Sequence, residues 1–148
     1  MVINLKKALE IAIAREIEAV SFYNQFAEVV SDKAVRAMLI DLAQEEEHHR
    51  QKLEEIVLTE IEADPGKSVD LALTDNFVAE PFFSDIPLQD LFIKAAQKEK
   101  QAAAFYSQLA RATSLIKVKK LFLYLEEQEK SHKLRLELES ERLFFPED

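Results

Sequence analysis

The feature that most constrains this chain is an apolar stripe at helical spacing that is interrupted by charged residues. Leu39 and Leu42 lie on one helical face, and Leu53 resumes the pattern further on. Between Leu42 and Leu53, the positions that continue the pattern in steps of four and three are Glu46 and His49. An ionised carboxylate buried in an apolar interior without a partner is very costly. Some group must compensate for this cost, and a metal ion is the simplest candidate.

The same interruption occurs a second time, 83 residues further along the chain. Polar and aromatic residues match at this offset without a gap: Glu16 with Glu99, Phe22-Tyr23 with Phe105-Tyr106, Glu46 with Glu129 and His49 with His132. Chance similarity between amphipathic helices would match Leu and Ala, but it would not so readily match polar residues within the stripe. The match therefore predicts a duplicated helical hairpin.

The composition fits long helices joined by few turns. The 148 residues include one Gly and four Pro, and the rest is rich in strong helix formers. The absence of Cys excludes disulfides and thiolate metal sites. A formal net charge of −9 disfavours nucleic acid and anionic membranes as partners. No apolar run has signal-peptide or membrane-span length, so we expect a cytoplasmic protein.

These observations predict an all-α fold, a four-helix bundle formed by one domain over residues 1–148. The repeat halves span about 3–63 and 86–143, and residues 64–87 form the connection between helices two and three. This connection is too apolar for a free linker, and bundles with one long crossover use such a segment. We expect a strap packed along the bundle, with a short helical turn after Ser68, which leaves helices two and three parallel.

The repeat places six potential metal ligands near the middle of the four helices: Glu16, Glu46, His49, Glu99, Glu129 and His132. Residues three apart on a helix differ by about 4.5 Å of rise and about 60° of rotation, so each Glu-x-x-His pair can reach one ion. Two such pairs and two further Glu residues match the arrangement of two-metal carboxylate bundles. Glu46 and Glu129 are assigned as bridging ligands and Glu16 and Glu99 as terminal ones, while each His binds one ion. The donors suit iron or manganese, and zinc is possible.

Two assignments near this site stay open. Glu45 and His48 form another Glu-x-x-His pair that the repeat does not preserve, so we interpret them as surface or outer residues. His48 replaces His49 if the helix is slightly rotated. Tyr23 and Tyr106 lie two turns after their Glu partners, and their hydroxyls lean toward the metal layer. Each either hydrogen-bonds a ligand carboxylate or finds another partner in the core.

These residues resemble the ferritin-like superfamily, specifically its rubrerythrin-like branch. The resemblance implies a non-haem diiron centre that reacts with dioxygen or hydrogen peroxide. Rubrerythrin proper carries a four-Cys rubredoxin domain, which this Cys-free chain lacks, so an electron donor would be a separate protein. It also has an additional metal-binding Glu where this chain has Ala102. That departure argues against peroxidase activity and leaves oxidation of ferrous iron open.

Three functions are compatible with the sequence. The first is a diiron oxidoreductase of the ferroxidase or peroxidase type, active in defence against oxidative stress. The second is a protein that binds iron or another metal without turnover. The third is a helical interaction module with a vestigial metal site. The resemblance and the apolar Phe144-Phe145 tail favour a homodimer.

Overall fold

Four long helices dominate the computed structural model of the protein, which describes residues 2–62, 70–72, 81–82 and 84–146. The helices are α1 (Leu5–Val29), α2 (Lys33–Ile56), α3 (Leu88–Ala112) and α4 (Ile116–Phe144). A π-helical segment, Val57–Glu62, extends α2. The predicted end of the first repeat half, at about residue 63, lies outside the described residues. The all-α class and the four-helix bundle are confirmed.

Side-chain caps fix where the first two helices begin. The Asn4 side-chain oxygen accepts a hydrogen bond from the backbone N–H of Lys7 at 2.8 Å. The Asp32 carboxylate accepts one from the N–H of Val35 at 3.0 Å. Each cap satisfies one of the donors that the first turn of a helix leaves unpaired.

A short antiparallel ribbon joins the start of the chain to the crossover. Strand β1 (Val2–Asn4) pairs with β2 (Asp70–Ala72), with Ile3 opposite Leu71. Because residues 2–4 form this strand, the first helix begins at Leu5, close to the boundary of about residue 3 that was predicted for the first repeat half. The helical turn expected after Ser68 is contradicted at residues 70–72, because these residues form a strand. Ser68 itself lies outside the described residues. Period-based reasoning missed the pairing because three-residue strands carry too little pattern.

Contacts between the hairpins define the direction of each helix. Tyr23 of α1 contacts Glu99 of α3, and Tyr106 contacts Glu16 in return. Within each helix the tyrosine follows the glutamate in sequence, and each tyrosine contacts the glutamate of the other helix. The two helices α1 and α3 are therefore antiparallel. Because α2 reverses α1 through a three-residue connection, α2 and α3 run parallel, which is the arrangement that a long crossover requires.

The hydrophobic core is divided into two clusters, one toward each end of the bundle. The first cluster is built around Leu5, Leu9, Leu53, Phe105, Leu109, Val118 and Phe122. The second is built around Phe22, Phe26, Leu39, Leu42, Phe92 and Leu136. Each cluster uses residues from all four helices, so packing of both clusters fixes the level at which the helix midpoints meet.

The last two aromatic residues of the tail have different environments. The Phe144 ring packs edge-on against Phe92, with ring centres 6.0 Å apart, and covers the second cluster. The neighbouring Phe145 is 65% exposed. Over the part of the chain that the structure describes, no helix is both long and apolar enough to cross a membrane.

We predict that Asn4→Ala lowers the free energy of unfolding by about 1 kcal/mol, because the cap of α1 is lost. Urea denaturation followed by circular dichroism measures this change. Asn24→Ala is the matched control, since Asn24 lies exposed in the interior of α1 and Ala favours a helix. Equal stability of the Asn4→Ala protein and the wild type would contradict the assigned cap.

Candidate metal centre

All six predicted ligands lie buried between the two core clusters. Each is at most 2% exposed although each is polar. They are Glu16 of α1, Glu46 and His49 of α2, Glu99 of α3, and Glu129 and His132 of α4. The apolar stripe of each helix carries these side chains inward because they occupy core positions in the sequence. The four helices therefore meet around a polar centre.

The six residues form two overlapping groups, in each of which the potential ligand atoms lie within 4.8 Å of one another. One group contains Glu16, Glu46, His49 and Glu129. The other contains Glu46, Glu99, Glu129 and His132. Glu46 and Glu129 belong to both groups, whereas each other residue belongs to one. The arrangement thus has two adjacent positions with two carboxylates shared between them.

Both imidazoles face the shared carboxylates through Nδ1. Oε1 of Glu46 lies 3.1 Å from Nδ1 of His49 and 3.1 Å from Nδ1 of His132. Oε1 of Glu129 lies 3.2 Å and 3.4 Å from the same two nitrogens. Two ligands bound to one ion at about 2.1 Å are separated by roughly 3.0 to 3.4 Å for right-angled or tetrahedral geometry. The observed distances match the spacing of ligands that share an ion.

Each of the six residues presents a buried atom that has no hydrogen-bond partner in the structure. These atoms are Oε2 of Glu16, Oε1 of Glu46, Nδ1 of His49, Oε2 of Glu99, Oε1 of Glu129 and Nδ1 of His132. Buried polar atoms without partners are rare in native proteins because each costs its full desolvation energy. Here the unpartnered atoms converge on one volume. The donor set therefore fits two divalent cations.

Burial shifts the pKa of the central groups. Burial raises the pKa of both Glu46 and Glu129 well above the usual 4.5, and the neighbouring carboxylates raise it further. Burial alone would lower the pKa of His49, but Glu129, Glu16 and Glu46 outweigh it and raise the pKa. Without cations, the centre therefore holds protons more tightly than exposed groups would.

Each tyrosine binds a carboxylate of the opposite hairpin. The Tyr23 hydroxyl donates to Oε1 of Glu99, and the Tyr106 hydroxyl donates to Oε1 of Glu16. The other oxygen of each Glu faces an imidazole, at 3.6 Å from Nδ1 of His132 or of His49. Burial and the adjacent carboxylates raise the pKa of both tyrosines, so they stay protonated donors. Each tyrosine fixes one carboxylate oxygen and leaves the other for the centre.

The structure distinguishes between the two neighbouring histidines. His49 is buried in the centre, whereas His48 is exposed. Glu45 is partly buried, with Oε2 at 3.3 Å from Nε2 of His132. Arg135 donates to this carboxylate at 2.9 Å. The sequence reasoning missed Arg135. Its position three residues after His132, on the same helical face, was the available signal.

The fold and the centre together define a class: a four-helix bundle with buried carboxylate and histidine side chains whose arrangement fits two metals. The rubrerythrin family model matches residues 1–57, which include Glu16, Glu46 and His49. This match and the four-helix bundle support the resemblance of the chain to rubrerythrin-like proteins of the ferritin-like superfamily. The resemblance predicted from the sequence is confirmed.

Two solved structures are similar over nearly the whole chain. A hypothetical protein from Pyrococcus furiosus is 28% identical, with a TM-score of 0.75, and the match covers 94% of this chain and 89% of that one. A Thermotoga maritima protein, provisionally described as a ferritin-like diiron-carboxylate protein, is 22% identical with a TM-score of 0.81. That match covers 95% of both chains and supports the fold. No curated protein matches the sequence significantly.

We predict that the free energy of unfolding of the metal-free protein falls as the pH rises above 4.5, the usual pKa of Glu. A group with a raised pKa in the folded state stabilises that state below its ordinary pKa, and this contribution is lost as the pH rises. The two histidines extend the decline above 6.5. Urea denaturation in a chelator at a series of pH values measures the slope.

Glu46→Gln/Glu129→Gln is the control, because it removes the two carboxyl groups with raised pKa and flattens the lower part of the curve. Added divalent metal opposes the decline, since cations and protons compete for the same ligands. A metal-free stability that does not depend on pH would contradict this account of the centre.

Proposed function

We propose that the protein binds two iron ions and acts as an oxidoreductase toward dioxygen or hydrogen peroxide. The observation that carries the proposal is the pair of four-residue groups that share Glu46 and Glu129. A single-metal site would need only one such group. The match of residues 1–57 to the rubrerythrin family model supports iron as the metal.

In this proposal, Glu46 and Glu129 bridge the ions and Glu16 and Glu99 are terminal ligands. His49 and His132 each bind one ion through Nδ1. Charge supports the assignment, because four carboxylates neutralise two divalent cations while the imidazoles bind as neutral ligands. Mixed carboxylate and imidazole donors suit iron, and they also accept manganese or zinc.

Iron supplies the chemistry by transferring electrons to the oxidant. The protein positions the ligands and encloses the centre. The hydroxyl groups of Tyr23 and Tyr106 hold the terminal carboxylates from across the bundle. The two apolar clusters limit the access of water to the centre from both ends. We further propose that a separate protein donates electrons and that the chain forms a homodimer.

A second candidate is oxidation and handling of ferrous iron without peroxidase turnover. The observation that favours it is Ala102, which is partly buried one turn after Glu99, at the position where rubrerythrin proper has an additional ligand. With no carboxylate there, the ligand set is symmetric between the two hairpins.

We predict that the wild type binds two metal ions per chain and that Glu46→Ala abolishes binding of the pair, because one residue serves both positions. Metal content after anaerobic loading with Fe²⁺ measures the stoichiometry. Glu47→Ala is the matched control, since Glu47 is the adjacent residue of α2 and pairs with Arg50 instead. Two ions bound to Glu46→Ala would rule out the bridging assignment.

Activity is tested by mixing the Fe²⁺-loaded protein with hydrogen peroxide or dioxygen and following ferric absorbance. We predict rapid oxidation in the wild type and none above the rate of free Fe²⁺ in Glu46→Ala. Repeated consumption of oxidant in the presence of a reductant supports an enzyme, whereas a single round supports iron handling. Oxidation no faster than free Fe²⁺ would contradict both candidates.

A further inference from the structure

The two histidines of the centre have different outer surroundings, although the repeat makes the inner site symmetric. At the repeat offset, Glu45 corresponds to Gln128, Arg135 to Lys52 and Asp41 to Tyr124. All three pairs lie on α2 and α4, on the outer sides of the histidines. Two of the pairs change charge, because Glu45 and Asp41 correspond to the neutral Gln128 and Tyr124, whereas Arg135 and Lys52 are both cations. These differences lie where they can act on one histidine and not on the other.

On one side, a charged chain supports His132. Nε2 of His132 is buried, makes no hydrogen bond in this structure, and lies 3.3 Å from Oε2 of Glu45. Arg135 holds that carboxylate at 2.9 Å and also pairs with Asp41 at 3.0 Å. The nearest anionic group to the outer nitrogen of His132 is thus anchored in place by a cation.

On the other side, an aromatic residue covers His49. The Tyr124 ring is perpendicular to the imidazole, with ring centres 6.4 Å apart. Lys52 lies over the same tyrosine, with Nζ 5.4 Å from the ring centre. The ion-pair contacts of His49 run from Nδ1 to the carboxylates of the centre. The outer side of His49 thus carries an aromatic ring and a lysine, whereas the outer nitrogen of His132 faces a carboxylate.

We propose that Glu45 is a positioning residue that makes the two metal positions unequal, so that the position of His132 fills first. This inference rests on the proposed two-metal function. A carboxylate that accepts the outer N–H of an imidazole fixes the ring orientation and leaves the inner nitrogen free to bind metal. It also makes that nitrogen a stronger donor. Gln128, as a neutral amide, supplies no comparable charge to His49.

The competing interpretation is that Glu45 only forms a surface ion pair with Arg135. Exposed ion pairs contribute little to stability. In that case the removal of the Glu45 charge would leave the order of metal binding unchanged. Repulsion between the two cations separates the binding steps in any such site, but it does not select which histidine binds first. The test must therefore identify the histidine.

Zinc is a suitable probe because it is diamagnetic and does not change oxidation state. The metal-free protein, labelled with ¹⁵N at histidine, is titrated with Zn²⁺ while its ring nitrogens are followed by NMR. The chain has three histidines, and the exposed His48 serves as an internal reference. We expect Nδ1 of His132 to shift during the first equivalent and Nδ1 of His49 during the second.

Three variants identify the cause of this order. Glu45→Gln lowers the first association constant 10- to 100-fold, the range observed for loss of such outer partners, and removes the order. Glu45→Gln/Gln128→Glu transfers the carboxylate to the other side, so that His49 shifts first. The matched control is Glu54→Gln, which removes a carboxylate of α2 that pairs with Arg50 and leaves the order intact.

Several outcomes would overturn the proposal. His49 and His132 shifting together in the wild type, or His49 shifting first, would show that Glu45 does not favour one position. An unchanged order in Glu45→Gln would have the same meaning. In these cases the two-metal site stands. If neither buried histidine shifts at any zinc concentration, the metal site itself fails, and this inference fails with it.

Discussion

The structure depends on the burial of four carboxylates and two imidazoles at the centre of an otherwise apolar bundle. Removal of these groups from water costs several kcal/mol for each ion formed, even after relaxation. Within the two four-residue groups, the contacts that could offset this cost join the carboxylates to the two imidazoles. The cost can otherwise be offset by protonation of the carboxylates, which the raised pKa of Glu46 and Glu129 favours, or by the binding of cations. The helices are arranged so that cations can satisfy the unpartnered atom that each of the six residues presents to the centre.

This constraint explains the organisation of the rest of the chain. The apolar clusters on either side hold the helix midpoints at one level. The crossed hydrogen bonds of Tyr23 and Tyr106 join α1 to α3, and the shared carboxylates of Glu46 and Glu129 bring α2 to α4. Each pair of helices is thus connected through the polar centre. A shift of one hairpin along the other would break contacts to both tyrosines.

Most of the fold and the composition of the centre could be predicted because both derive from periodic signals. The stripe that contains Glu46 and His49, repeated at Glu129 and His132, fixed which residues face inward. Periodicity did not reveal the Val2–Asn4 strand or the π-helical turn after Ile56, since neither is long enough to show a period. The crossed tyrosine partners and the role of Arg135 beside Glu45 depend on contacts between helices that one sequence does not specify.

Each hairpin supplies half of the centre: two Glu, one His, and one Tyr that binds a Glu of the other half. Two identical hairpins associated as a symmetric pair would therefore already contain the whole set. In such a pair every substitution appears twice, so both sides must stay alike. Covalent joining of the hairpins removes that restriction. The differences between Glu45 and Gln128, and between Asp41 and Tyr124, are specialisations that only a fused chain can encode.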